Sequence, residues 1–135
     1  MIAANHLQLV VITPERKVID QQAFSLQFPL EDGQIGILPS RAPMVGRLSY
    51  GEMVVSDGTG KHRYFIDGGF CQVKDSVVTI LTGAVTPVGD LKIEKIRTQI
   101  ATVQARPATT GSEMDLKNQE LRKLAAQRSL LERRF

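Results

Sequence analysis

The chain has 135 residues, with 17 Lys plus Arg against 14 Asp plus Glu for a net charge of +3, one Cys, and 42% apolar residues. A chain of roughly this size buries about two-thirds of its unfolded surface, so a single core can hold it without metal or cross-links. The lone Cys71 excludes an internal disulfide framework and a Cys-rich zinc site, and no apolar run approaches the ~20 residues that a membrane-spanning helix requires.

Residues 1–9 lack a basic region followed by a long apolar block, so no secretory signal or transit peptide is expected. Residues 6–13 are apolar and β-branched and predict a first strand. Phe24, Leu26 and Phe28 alternate with Ser25 and Gln27, the period of a half-buried strand. Residues 53–56 and 63–67 flank Asp57-Gly58-Thr59-Gly60, a hairpin signal in which the glycines are suited to positive φ. Residues 71–73 and 77–81 form a second pair across Lys74-Asp75-Ser76. Short strands at this spacing predict an antiparallel sandwich or barrel with one sheet face buried over residues 1–88. Pro29, Pro39 and Pro43 then belong at strand ends, edges or turns, because none can donate to a ladder.

Composition changes near residue 88. Ten of eleven glycines and five of six prolines lie before residue 90. Residues 1–88 carry seven basic and eight acidic side chains; residues 89–135 carry ten and six, so the positive excess belongs to the last third. From Asp90, Ile93, Ile96, Ile100 and Val103 recur at helical spacing, and Arg106-Pro107 ends that helix. Ser112 is the expected N-cap of a second helix, with Glu113 and Asp115 in its first turn. Met114, Leu121, Leu124, Leu131 and Phe135 follow along it. Residues 89–135 are thus expected to form an antiparallel two-helix hairpin.

Enzyme chemistry finds little support. His6 and His62 are the only bases near neutral pH, and His62 lies in the basic run Lys61-His62-Arg63, where a solvent-facing role is the ordinary one. Cys71 stands in an apolar strand as a buried, inert thiol. Asp67-Gly68-Gly69 lacks the Lys-Ser/Thr ending and following helix of a phosphate loop and reads as a tight turn between strands. Neither paired histidines nor a carboxylate cluster at metal-ligand spacing appears. Nucleic acid is not expected as a partner, since the basic third interleaves acids and offers no aromatic but Phe135 for stacking.

The segment Asp32-Gly33-Gln34-Ile35-Gly36-Ile37-Leu38-Pro39-Ser40-Arg41-Ala42-Pro43 resembles the epsilon subunit of F-type ATP synthase, bacterial type. Phe65-Ile66-Asp67-Gly68-Gly69-Phe70-Cys71-Gln72-Val73-Lys74 followed by Val77-Val78-Thr79-Ile80-Leu81, and the opening His6-Leu7-Gln8-Leu9-Val10-Val11-Ile12-Thr13-Pro14-Glu15, are similar to the same family. The resemblance implies a non-catalytic rotor subunit on the cytoplasmic face of the bacterial inner membrane, without direct membrane insertion. Its all-β sandwich of about ten short antiparallel strands (residues 1–88) would bind the gamma subunit and the c-ring, and its helical hairpin (residues 89–135) would inhibit ATP hydrolysis by meeting an acidic loop of the beta subunit.

Residue by residue, the resemblance implies a c-ring or gamma contact loop containing Glu31, Asp32, Gln34, Ile35, Leu38, Arg41 and Pro43. Gln34 stands where many relatives carry an acid and Arg41 where they carry His. Lys117, Arg122, Lys123 and Arg128 are the expected inhibitory contacts, and Arg133 and Arg134 extend the same basic helix. No resident cofactor or metal is implied. ATP is a candidate regulatory ligand, sensed by Glu94 and Arg97, although Thr98 replaces the alanine of the family segment. The alternative from the residues alone is a free-standing sandwich adaptor whose basic hairpin binds an acidic protein.

Overall fold

A computed structural model describes residues 6–133. The expected continuation of the second helix to Arg134 and Phe135 lies outside the described residues. Two compact units divide the chain, Met1–Pro87 and Val88–Phe135.

The first unit is a β-sandwich of eight strands: β1 (Leu7–Ile12), β2 (Lys17–Ala23), β3 (Ser25–Leu30), β4 (Gly33–Ile37), β5 (Met44–Asp57), β6 (Gly60–Lys74), β7 (Val77–Leu81) and β8 (Val85–Pro87). Hydrogen bonding orders them β2-β1-β7-β6-β5-β3-β4, with β8 on β6. All pairs are antiparallel except β1 with β7, which run parallel. One core collects Leu7, Leu9 and Val11 from β1, Leu26 and Phe28 from β3, Ile37 from β4, and Val78 and Ile80 from β7. Strands far apart in the hydrogen-bonding order therefore share one interior, and Gln21 Nε2 of β2 reaches Asp57 Oδ2 of β5 at 2.9 Å.

The strand count is eight rather than about ten, and one expected break is absent. Residues 63–67 and 71–73 belong to the single strand β6, and Asp67-Gly68-Gly69 lies within it rather than in a turn. The β5–β6 register runs through unshifted, yet the buried side changes parity there. Leu48, Cys71 and Val73 face the core on one side of the switch; Met53, Val55 and Ile66 face it on the other. A ribbon whose inward face inverts is passing from one layer of the sandwich to the other. Gly68 and Gly69, at φ 68° and 111°, sit at this crossing. A Cβ on Gly69 would stand 1.8 Å from the Leu81 carbonyl oxygen, so only glycine fits.

Two other expectations shift. Phe24 precedes β3 and is exposed, its ring 4.9 Å from that of His6, while Leu26 and Phe28 are buried as the alternation requires. Pro29 lies inside β3 where the β3–β5 register slips between Gln27 and Leu30, the irregularity that accommodates a residue without an N–H. Gly51 opposite leaves room for its ring, since a Cβ there would be 2.9 Å from Pro29 Cγ.

The second unit opens with a 3-10 turn at Val88–Asp90, so Asp90 precedes the first helix, α1 (Ile93–Ala105). Ile96, Ile100 and Val103 are its buried stripe. Helix α2 (Gly111–Glu132) has 22 residues and is about 33 Å long at ~1.5 Å per residue. Its N-cap is Thr110 rather than Ser112: the Thr110 hydroxyl accepts the Glu113 N–H at 3.1 Å, and Glu113 Oε2 accepts the Thr109 N–H at 3.2 Å. Arg106 meets Glu120 at 2.8 Å and Arg97 meets Glu132 at 3.9 Å, so the helices pack antiparallel.

Candidate functional site

The span 31–43 is a hairpin and a loop rather than one loop. Glu31 and Asp32 form the β3–β4 turn, β4 occupies Gly33–Ile37, and residues 38–43 lead into β5. Ile35 packs against the core, whereas Gln34 is exposed and Leu38 is 64% exposed, and Arg41 and Pro43 lie on the surface. Glu31 pairs with Arg47 at 3.7 Å, both largely in solvent, and Arg41 Nη2 approaches Met44 Sδ at 3.8 Å. Ser40, at φ 66°, donates its N–H to Ser76 Oγ at 3.1 Å, which ties this loop to the β6–β7 turn.

Beside that loop the outer face of the sandwich carries exposed apolar side chains. Val45 is 77% exposed, Phe70 51% and Leu81 48%. Arg47, Phe70 and Leu81 lie in register across β5, β6 and β7, with Val45 two residues from Arg47 on the same side. The Arg47 guanidinium stands over the Phe70 ring, 5.5 Å from its centroid, where a cation is attracted to the π face. Ile12 pairs with Leu81 and extends the stripe to β1, beside a shallow, mainly apolar hollow of about 340 Å³ lined by Ile12, Pro14, Gly69 and Leu81. Val45, Phe70 and Leu81 thus form an exposed apolar stripe outside the filled core.

His62, read as solvent-facing, is partly exposed but engaged. Its Nε2 lies 2.8 Å from Thr59 Oγ1 and 3.1 Å from Asp57 Oδ1. Asp57 also accepts the Thr59 hydroxyl at 2.7 Å and the Thr59 N–H at 2.8 Å, and these bonds hold its carboxyl far below the usual range. This knot closes the β5–β6 hairpin tip. Burial raises the Cys71 thiol, in keeping with an inert role.

In the hairpin, Lys117 is turned inward on its own unit. Its Nζ donates to the carbonyls of Gln104 at 2.9 Å and Arg106 at 3.0 Å, satisfying groups that the end of α1 leaves open. Arg122 is exposed and Arg128 half-buried, and neither makes an ion pair among the described residues. A groove of about 380 Å³ runs between the helices past Thr98, Thr102, Arg106, Glu120, Lys123 and Gln127. Neither Glu94 nor Arg97 lines it. Both are exposed, and Arg97 faces Glu132 instead. Among the described residues no group of three or more His, Cys, Asp or Glu is placed to hold a metal, and no helix is long and apolar enough to cross a membrane.

The sequence profile of the ATP synthase, Delta/Epsilon chain, beta-sandwich domain matches residues 6–88. An ATP synthase epsilon chain of Rhodopirellula baltica is 38% identical over 121 residues, covering 90% of this chain and 94% of that one. An ATP synthase epsilon chain of Leptospira interrogans (serovar copenhageni) is 33% identical over 129 residues, 94% of this chain and all of the other. The fold matches a chain of the Euglena gracilis mitochondrial ATP synthase OSCP/F1/c-ring structure with TM-score 0.83 at 21% identity, covering 97% of this chain and 84% of that one. It also matches a chain of the Tetrahymena thermophila mitochondrial ATP synthase central stalk/c-ring structure with TM-score 0.67 at 11% identity, covering 91% and 94%.

Proposed function

The chain belongs to the epsilon-chain family of ATP synthase, and we propose that it serves as the non-catalytic central-stalk subunit of an F-type enzyme, on the cytoplasmic face of a bacterial inner membrane. In this reading the sandwich docks on the gamma subunit and the c-ring and couples ion translocation to ATP synthesis. The observation that carries it is the exposed stripe Val45, Phe70 and Leu81 with Arg47 beside it, adjoining the projecting Leu38. A rotor coupling needs a stiff body with a large contact face, and a sandwich whose ribbon runs through both layers supplies the stiffness.

The hairpin supplies regulation. Arg122 and Arg128 are the side chains best placed to meet the acidic loop of the beta subunit, because neither makes an ion pair among the described residues; Lys123 faces the interhelical groove and Lys117 caps α1. Such an attraction between exposed charges weakens with salt. ATP would act through Arg97 by displacing Glu132. Calorimetry of the chain against ATP tests that step: heat that disappears in Arg97→Ala supports it, and equal heat in both contradicts it.

Co-purification tests the assignment. The tagged chain is expected to bring down gamma and the c-ring at moderate salt, and the complex rebuilt with a chain ending at Val88 is expected to hydrolyse ATP faster than one with the full chain. Recovery without gamma would overturn the docking role; equal hydrolysis rates would overturn the inhibitory one.

A further inference from the structure

Three non-glycine residues have positive φ among the described residues: Ser40 at 66°, Asp75 at 53° and Ser76 at 61°. They meet at one point. Asp75 and Ser76 are the two-residue connection between β6 and β7, with Lys74 paired to Val77, and positive φ at both is the signature of a type I′ hairpin turn. The second position of such a turn favours glycine, because an L side chain in the left-handed region is strained. Serine there is the worse choice for the turn itself.

Its backbone does nothing that a glycine could not do. The Ser76 carbonyl accepts the Gln8 N–H at 2.9 Å, a bond that any residue supplies. What serine adds is Oγ, which accepts the N–H of Ser40 at 3.1 Å across the gap from the turn to residues 38–43. Ser40 is itself the left-handed residue of that loop, so the hydrogen bond joins two strained segments. Strain retained on both sides of one contact points to a conformation kept for use.

We propose that Ser76 is a positioning residue for docking: its hydroxyl fixes residues 38–43 in the conformation that presents Leu38, Arg41 and Pro43 to the c-ring. The inference rests on the reading of that loop as a ring contact.

Two glycine substitutions separate strain from hydrogen bond. Ser76→Gly relaxes the backbone and deletes the hydroxyl; Asp75→Gly relaxes the adjoining position and leaves the hydroxyl in place. In the full chain, Ser76→Gly is expected to raise amide exchange of Ser40 roughly three- to tenfold, the range set by one hydrogen bond. It should weaken binding to the gamma–c-ring assembly by a similar factor without lowering Tm. Asp75→Gly should leave exchange at Ser40 and binding unchanged.

Wild-type exchange or wild-type binding in Ser76→Gly overturns the proposal. So does an equal shift in both variants, or a lowered Tm with exchange raised across the whole sheet. Absence of binding by the wild-type chain would instead contradict the docking role, and exchange at Ser40 would still decide whether the hydroxyl clamps the loop.

Discussion

The two units are held by different means. In the sandwich, Leu7, Leu9, Val11, Phe28, Met53, Ile66, Val78 and Ile80 are fully buried, and strands distant in sequence share one interior. In the hairpin the buried apolar set is small, and contacts along its length are polar: Arg97 with Glu132, Arg106 with Glu120, Lys117 with the end of α1. Close packing resists deformation, whereas exposed polar contacts break at little cost. The sandwich is therefore the more rigidly held of the two units.

The sharpest way to break this contrast is to cut into each unit. Phe28→Ala, in the sandwich interior, should lower global stability by about 3–5 kcal/mol, the range for deleting a fully buried aromatic ring. Chemical denaturation followed by β-sheet circular dichroism measures it; a loss below about 1 kcal/mol would mean that the sandwich is not the stiff body. Lys117→Ala should cost about 1 kcal/mol, confined to the hairpin, by uncovering the carbonyls of Gln104 and Arg106. Hydrogen exchange should accelerate along α1 and the start of α2 and leave β1–β8 unchanged.

The smallest effect concerns the hairpin tip at Asp57. Its carboxyl is held below the ordinary value of 3.8 by the Thr59 hydroxyl first and the Thr59 amide next. A depressed carboxylate stabilises the fold above the unfolded-state value, and that contribution fades as pH falls below it. The difference in Tm between the wild type and Asp57→Asn is therefore expected to be full at neutral pH and to shrink below about pH 4. A gap independent of pH would assign the effect to shape rather than charge.

Much of this was legible in the sequence where one element suffices to decide. The apolar, β-branched run at residues 6–13 declares a strand, the alternation of Leu26 and Phe28 with Ser25 and Gln27 a half-buried one, and Ile96, Ile100 and Val103 a helical stripe. What escaped depends on partners. Gly68-Gly69 looks locally like a turn, and only its pairing with β5 makes it a crossing between layers. The parity inversion at that crossing turns Phe70 outward, so its exposure could not be read from its neighbours. Thr110 and Ser112 are equally good caps by type; the path of the chain from Arg106 selects the first. Lys117 reads as one cation among several until the register of the hairpin places it under the end of α1.

The docking face tests the account most directly. Phe70 is half in solvent, so Phe70→Glu should leave Tm within about 2 °C of the wild type, as expected for a surface substitution. The same change should weaken capture of the gamma subunit by the full chain at moderate salt at least tenfold, the scale of losing one apolar anchor from an interface. Unchanged capture by a folded Phe70→Glu chain would contradict the claim that this face carries the coupling.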